Sequence, residues 1–172
     1  MRYFENKVAA ITGAGSGIGQ QLAILLAKQG CHLALSDINV QGLQATRDLI
    51  KDKVIISLTV IDVAHKHQVE AWAEQVMQTH QQVNFIFNNA GVALGSTVDG
   101  ASYEELEWIM DINFWGVVYG TKSFLPFIKQ SGAGHVVNIS SVFGLTAQPT
   151  QSGYNASKFA VRGFTEALRQ EL

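Results

Sequence analysis

The chain has one cysteine, few charges and no long apolar run. Cys31 is the only cysteine among 172 residues. An internal disulfide is therefore impossible, and a reducing compartment fits. Placed at the start of an apolar stretch, this thiol reads as buried and structural. Charged residues make up 15% of the chain, the net charge is −2, and no basic block stands out. That balance gives no reason to expect nucleic acid or an anionic membrane surface as a partner. Met1-Arg2-Tyr3-Phe4-Glu5-Asn6-Lys7 contains no apolar signal region. Elsewhere the longest apolar runs are strand-sized and broken by glycine or charge, too short to span a membrane. Repeats, low-complexity tracts and linkers are absent as well. The hydrophobic fraction, 47%, is globular. A soluble, cytoplasmic protein is expected, with one domain over residues 1–172.

What the chain does have is a regular alternation. Lys7–Thr12 is a short apolar run that stops at glycines, as a buried strand does. Gly17–Gln29 carries an apolar stripe at Ile18, Leu22, Leu25 and Leu26, and Gly30 ends it as helix C-termini prefer. Strands are expected at His32–Ser36, Val54–Val60, Val83–Phe87 and His135–Ser140. Helices are expected at Val40–Lys51, Lys66–Thr79 and Tyr103–Lys129, the last interrupted by Pro126, and another begins near Tyr154. Strand alternating with helix predicts an α/β fold with a doubly wound parallel sheet in three layers. The near-continuous apolar strands agree, since such strands are buried on both faces.

Between the first strand and helix lies Thr12-Gly13-Ala14-Gly15-Ser16-Gly17-Ile18-Gly19. Small residues there let a backbone approach a pyrophosphate, and the helix N-terminus offers free N–H groups and partial positive charge. The literal G-x-G-x-x-G pattern is not met, because counting from Gly13 puts Ile18 in its last place. Position after a strand and before a helix is what gives the turn its meaning. Asp37 ends the second strand about 20 residues on. Its carboxylate suits the ribose hydroxyls of an adenosine and repels a 2′-phosphate. Neither Ser16 nor Ile38 offers a base to bind one. The cofactor expected is NAD. A strand-end aspartate also commonly caps a turn.

Tyr154-Asn155-Ala156-Ser157-Lys158 is a Y-x-x-x-K stretch, with Ser141 upstream. Helical residues four apart share a face, about 6 Å from each other. A free phenol, with a pKa of about 10, is a poor base near neutrality. A neighbouring ammonium favours phenolate and makes such a group useful in proton transfer. Tyrosine and lysine four apart also occur on many solvated helix faces, so the pair needs support from the rest of the chain.

Taken together, these residues resemble the short-chain dehydrogenase/reductase family. T-G-x-x-x-G-x-G is met at Thr12, Gly13, Gly17 and Gly19. N-N-A-G stands at Asn88-Asn89-Ala90-Gly91, and Asn113 sits in Asp111-Ile112-Asn113-Phe114-Trp115-Gly116. Asn138-Ile139-Ser140-Ser141 ends the fifth strand, and Tyr154 and Lys158 follow at the family's spacing. The resemblance implies a Rossmann-type domain and hydride transfer between NAD(H) and a secondary alcohol or ketone. It implies Tyr154 as general acid/base and Lys158 as the cation beside it, also holding the nicotinamide ribose. Ser141, selected over Ser140 by its spacing to Tyr154, would bind the substrate oxygen, and Asn113 would help hold a water in a proton relay. Gly13, Ser16, Gly17, Ile18, Gly19, Asp37, Asp62, Val63, Asn89, Ala90 and Gly91 would bind the cofactor with Tyr154 and Lys158. Family members continue past the helix bearing Tyr154. The chain is therefore expected to be C-terminally truncated, lacking the family's last strands, with an open sheet edge. A non-catalytic dinucleotide-binding module, or an inactive fragment of such an enzyme, is the rival reading.

No metal is required by this chemistry. His65 and His67 form an H-x-H pair without a third ligand in view, and His32, His80 and His135 read as structural. The apolar segments Val92-Ala93-Leu94 and Val142-Phe143-Gly144-Leu145-Thr146 read either as walls of a substrate pocket or as packing. The long helix has one apolar stripe at Leu106, Ile109, Val117 and Phe124 and another at Trp108, Ile112, Trp115 and Tyr119. The second is either buried within the monomer or covered by a second copy in a dimer or tetramer of the full-length form.

Overall fold

A computed structural model describes residues 3–172 of the chain. Met1 and Arg2, the start of the segment read as lacking a signal region, lie outside the described residues. Within them, five parallel strands alternate with helices: β1 Val8–Thr12, α1 Gly17–Lys28, β2 His32–Asp37, α2 Val40–Leu49, β3 Ile56–Val60, α3 Lys66–His80, β4 Phe85–Asn88, then α4 Tyr103–Met110, α5 Gly116–Gln130, β5 His135–Asn138 and α6 Ser152–Glu171. The sheet order is β3-β2-β1-β4-β5. The chain winds outward from β1 to β3, then crosses back to place β4 on β1's other side. That reversal opens a crevice beyond the C-terminal ends of β1 and β4.

The strands show why both faces must be covered. Val8 and Ala10 point to one layer with Ile86, where Trp72, Val76, Phe124 and Ile128 of α3 and α5 pack. Ala9 and Ile11 point to the other with Phe85 and Phe87, against Ala23, Leu26 and Leu43 of α1 and α2. This is the two-residue alternation of a strand buried on both sides. The Trp72 and Phe124 rings meet edge-on, 4.9 Å between centroids. β5 is an edge among the described residues. Its residues are exposed or half-buried, whereas β4 is buried throughout. The open sheet edge expected there is present.

The long helix differs from the expectation. Pro126 does not interrupt it: α5 runs through that residue to Gln130. Proline removes one donor, but Phe124 and Ile128 on either side are both buried in the core, and that packing carries the helix on. The break is earlier, in a π-helical turn over Asp111–Trp115 that separates α4 from α5. Such turns cluster at functional sites, and this one carries Asn113. A capping box between Ser102 and Glu105 starts α4. The stripe at Ile109, Val117 and Phe124 is buried, while Trp108 and Trp115 of the second stripe are 45% and 43% exposed.

The scattered histidines are held by local bonds. His32 Nδ1 accepts from the Ile55 N–H at 3.1 Å, and His135 Nε2 lies 2.9 Å from the Tyr3 hydroxyl. His80, at the end of α3, lies 2.8 Å from the Ser57 hydroxyl of β3 through Nε2, while its Nδ1 is buried without a partner. Burial, and then the charge of His32, push its pKa below the ordinary 6.5. The unfolded chain therefore binds the proton more readily than the folded one. Stability from this group is complete above about pH 6.5 and is lost as pH falls toward the lowered folded value. We expect unfolding free energy to decline on acidification through this window, with His80→Gln flattening the decline. Denaturant titrations of both proteins at pH 7.5 and 5.5 check it; equal slopes would remove His80 as the cause.

Candidate active site

The glycine turn is built by geometry that only small residues permit. Gly13 sits at φ +66°, and a Cβ there would come within 2.8 Å of the Ala90 Cα. A Cβ on Gly19 would collide with the Gly13 carbonyl and lie 2.6 Å from Asn89 Nδ2. The turn is braced from β4. Asn89 Nδ2 donates to the carbonyls of Thr12 at 3.0 Å and Gly13 at 3.2 Å. The Thr12 hydroxyl oxygen accepts from the N–H groups of Asn89 and Ala90, both at 3.0 Å. Asp37 braces it from β2: Oδ2 accepts the Gly15 N–H at 2.8 Å and Oδ1 the Asn39 N–H at 2.9 Å. Asp37 is thus a turn cap as well as a group facing the crevice. Ser16, the residue capping α1, makes no side-chain bond to its own helix.

A cleft of about 360 Å³ occupies the crevice. Of the residues expected to hold the cofactor, Gly13, Ser16, Gly17, Ile18, Asp37, Asp62, Val63, Asn89, Ala90 and Gly91 line it. Gly19 lies buried in the first turn of α1, beneath it. Four further lining residues were not among those expected to hold the cofactor: Ile38, Ile61, Ile112 and Val92, the last read as a candidate substrate-pocket wall. Ile38 and Val92 each follow a lining residue, and Ile61 precedes Asp62 at the end of β3, so their strand-end position was the available signal. The Asp62 carboxylate accepts the Ala64 N–H at 3.0 Å and lies 3.3 Å from His65. Val63 packs where a Cβ on Gly116 would sit, 3.0 Å away.

Asn113, Ser141, Tyr154 and Lys158 do not line this cleft; Asn113 and Lys158 adjoin its Gly91–Val92 wall. Asn113 is fully buried in the π turn. Its Oδ1 accepts the Val92 N–H at 2.8 Å, and its Nδ2 donates to the Val92 carbonyl at 2.9 Å and the Ser157 hydroxyl at 3.1 Å. Ser157 in turn donates to the Tyr154 carbonyl at 2.8 Å. Both amide hydrogens of Asn113 are spent, leaving its side chain only acceptor capacity for a water. Ser157 is the bridge that sequence reasoning missed. Its signal was its place three residues after Tyr154, on the same helix face.

Lys158 is 4% exposed. Its ammonium donates to the Ile139 carbonyl at 3.0 Å and lies 5.7 Å from the centre of the Tyr154 ring. Burial pushes its pKa below the ordinary 10.5. A Cβ on Gly91 would lie 3.1 Å from Asn113 Oδ1 and 3.5 Å from Lys158 Nζ, so the glycine joins cleft and cluster. The two serines separate. Ser140 turns inward and donates to the Lys158 carbonyl at 3.0 Å. Ser141 Oγ accepts the Phe143 N–H at 3.1 Å, which leaves its own hydrogen available. Phe143 meets the Tyr154 ring edge-on at 6.0 Å.

The sequence model of the short chain dehydrogenases matches residues 7–172. The chain belongs to the short-chain dehydrogenase family. Among its relatives in this family of oxidoreductases, it is 51% identical over 173 residues to a putative oxidoreductase, SadH, of Mycobacterium tuberculosis strain H37Rv, covering 100% of this chain and 63% of that protein. It is 36% identical over 174 residues to a CLA biosynthesis dehydrogenase/reductase of Lactiplantibacillus plantarum, covering 100% of this chain and 61% of that one. The fold matches a short chain dehydrogenase/reductase of Burkholderia phymatum, solved in complex with NAD, with a TM-score of 0.96 and 37% identity, covering 100% of this chain and 62% of that one. Levodione reductase matches with a TM-score of 0.94 and 33% identity, covering 98% of this chain and 67% of that one. The chain spans about 63% of the length of the SadH relatives.

His65 and His67 do not line the cleft, although His65 lies beside its Asp62. Their ring centres are 6.0 Å apart, and His65 stands at the N-terminus of α3 without a side-chain capping bond. Among the described residues no three His, Cys, Asp or Glu side chains group together as metal ligands would. Cys31 is buried, and its thiol is pushed up to about 12 by that burial. No helix among the described residues is long and apolar enough to cross a membrane.

Proposed function

We propose that this short-chain dehydrogenase transfers hydride between NAD(H) and a secondary alcohol or ketone, with Tyr154 as general acid/base. The observation that carries the reading is the buried Lys158 ammonium held 5.7 Å from the Tyr154 ring. A buried cation is costly, and its position beside a half-buried phenol gives the cost a use. NAD fits the cleft on three grounds. The turn packs so tightly on β4 that Gly13 and Gly19 admit no side chain, and at cleft-lining Gly17 a Cβ would meet only open space. The Ser16 side chain is uncommitted to its helix. Asp37 faces the cleft with no basic neighbour at Ile38. The NAD-bound Burkholderia relative agrees.

A nicotinamide held in the cleft would supply the hydride acceptor for alcohol oxidation and the hydride donor for ketone reduction. The chain's residues do the rest. Tyr154 receives the hydroxyl proton in one direction and supplies it in the other. Ser141, whose hydroxyl hydrogen is uncommitted, orients the substrate oxygen. Lys158 supplies the positive charge beside the phenol and, adjoining cleft-lining Gly91, would also hold the ribose. Asn113 locks the Val92 backbone and, through Ser157, the carbonyl of Tyr154, so the two halves of the site keep their spacing. The apolar residues around Phe143 and Leu94 favour a substrate with an apolar body. The exposed Trp108 and Trp115 support association of copies of the intact protein through α4 and α5, and the protein's composition fits a cytoplasmic location.

Cofactor choice is tested at Asp37. In the complete gene product, Asp37→Ala should lower kcat/KM for NAD relative to NADP by about ten-fold or more, the worth of one or two charge-assisted hydrogen bonds. Initial rates with each cofactor measure it. An unchanged ratio would leave Asp37 as a brace of the glycine turn alone.

A further inference from the structure

Asn155 is placed where an asparagine needs a reason. It sits inside α6, where asparagine is a weaker helix former than alanine, and it is nearly fully buried. Its Nδ2 donates to the Gln148 carbonyl at 2.9 Å. Gln148 belongs to the segment between the Ser141 turn and Tyr154. Two and three residues on, that segment is joined to the loop after β4: the Ser96 N–H donates to the Thr150 carbonyl at 2.8 Å, and Ser96 and Gln151 form an isolated parallel bridge. Thr150 is held at φ +60°, a strained backbone for a β-branched residue. Such a conformation persists only where the surroundings fix it. On the other side, Gly153 admits Leu94, Leu106 and Ile109 so closely that a Cβ would lie 2.9 Å from Leu106. Two loops are thus clasped together beside the start of the helix that carries Tyr154, and none of the clasp residues lines the cofactor cleft.

We propose that Asn155 is a positioning residue for this clasp. By holding the Gln148 carbonyl it seats Thr150 against Ser96, and so sets the approach of substrate to Tyr154 without touching cofactor. The inference rests on the dehydrogenase reading for its kinetic consequence, but the clasp itself is independent of it. The other polar atom of the Asn155 side chain, Oδ1, is buried without a partner, so the side chain's bonding is directed to this one carbonyl, while the backbone N–H donates to the Gln151 carbonyl.

The test uses the complete gene product with Asn155→Ala, and with Asn155→Asp, which keeps the size and removes the donor. Hydrogen exchange at the Ser96 amide should speed up roughly five- to ten-fold in both, as the loss of one hydrogen bond implies. With NAD and the probe alcohols 2-propanol and 2-octanol, KM for 2-octanol should rise about five-fold or more while kcat and NAD affinity hold. The ratio of kcat/KM between the two alcohols should change with it. Unchanged exchange at Ser96 would overturn the clasp. Faster exchange with KM and selectivity unchanged, or with NAD affinity and melting temperature falling together, would reduce Asn155 to a structural residue and overturn the positioning role. Absence of NAD-linked turnover in the unsubstituted protein would overturn the dehydrogenase reading, and the Ser96 exchange would still decide the clasp.

Discussion

Replacing Tyr154 with Phe in the complete gene product should lower kcat by about 10³-fold, within the span that positioned acid/base groups contribute. NAD affinity should stay within about two-fold, since Tyr154 does not line the cleft that the adenosine and pyrophosphate would fill. The ring is retained, so its edge-on contact with Phe143 survives, and folding should be unaffected. Steady-state rates and NAD titration by protein fluorescence measure the two effects separately. A variant that binds NAD and turns over at the parental rate would return the protein to the rival reading, a dinucleotide-binding module.

Lys158→Met should have the opposite effects on activity and stability. Turnover should fall by about 10³-fold as well, because the variant removes the charge beside the phenol. Stability should not fall. In the folded protein the ammonium is buried with one hydrogen bond to Ile139, and burial lowers its pKa below 10.5. Methionine fills nearly the same space without desolvating a charge. A gain on the order of 1 kcal/mol is expected, in keeping with the trade of stability for function at active sites. The pH dependence identifies the cause. Below the lowered folded pKa, both folded and unfolded chains carry the proton and the full burial cost stands. As pH rises from that value toward 10.5 the folded protein sheds the proton first and the cost is relieved. The parent should therefore gain stability in this alkaline window relative to the variant. Chemical denaturation at pH 7 and pH 10 reads both. A variant clearly less stable than its parent at pH 7 would show that the ammonium's bond to Ile139 outweighs its desolvation.

Much of this architecture was legible because strands buried on both sides leave a simple trace. Lys7–Thr12 and His32–Ser36 are apolar runs ended by glycine or acid, and the structure places strands there at Val8–Thr12 and His32–Asp37. The glycine turn was legible for the same reason: Gly13 and Gly19 occupy places where any side chain would strike Ala90 or the Gly13 carbonyl. The long helix was misread because proline is a loud local signal and a π turn is a silent one. Pro126 is carried by the burial of Phe124 and Ile128, while the turn at Asp111–Trp115 is fixed by tertiary bonds from Asn113 to Val92 and Ser157. Those partners lie 21 and 44 residues away in the chain, beyond any local pattern. Asn155 escaped notice for a similar reason, since its partner Gln148 has no distinguishing residue type and only its backbone carbonyl matters. Asp37 shows the remaining ambiguity: one carboxylate caps the turn and faces the cleft, and its sequence position fits both.

The most direct test of the central claim is isotope transfer. A panel of secondary alcohols carrying deuterium at the carbinol carbon is incubated with NAD and the complete gene product, and the reduced cofactor is weighed by mass spectrometry. The account predicts reduced NAD one mass unit heavier with at least one member of the panel, and its disappearance with Tyr154→Phe. Reduced cofactor without the label, or no reduced cofactor across the panel, would contradict it.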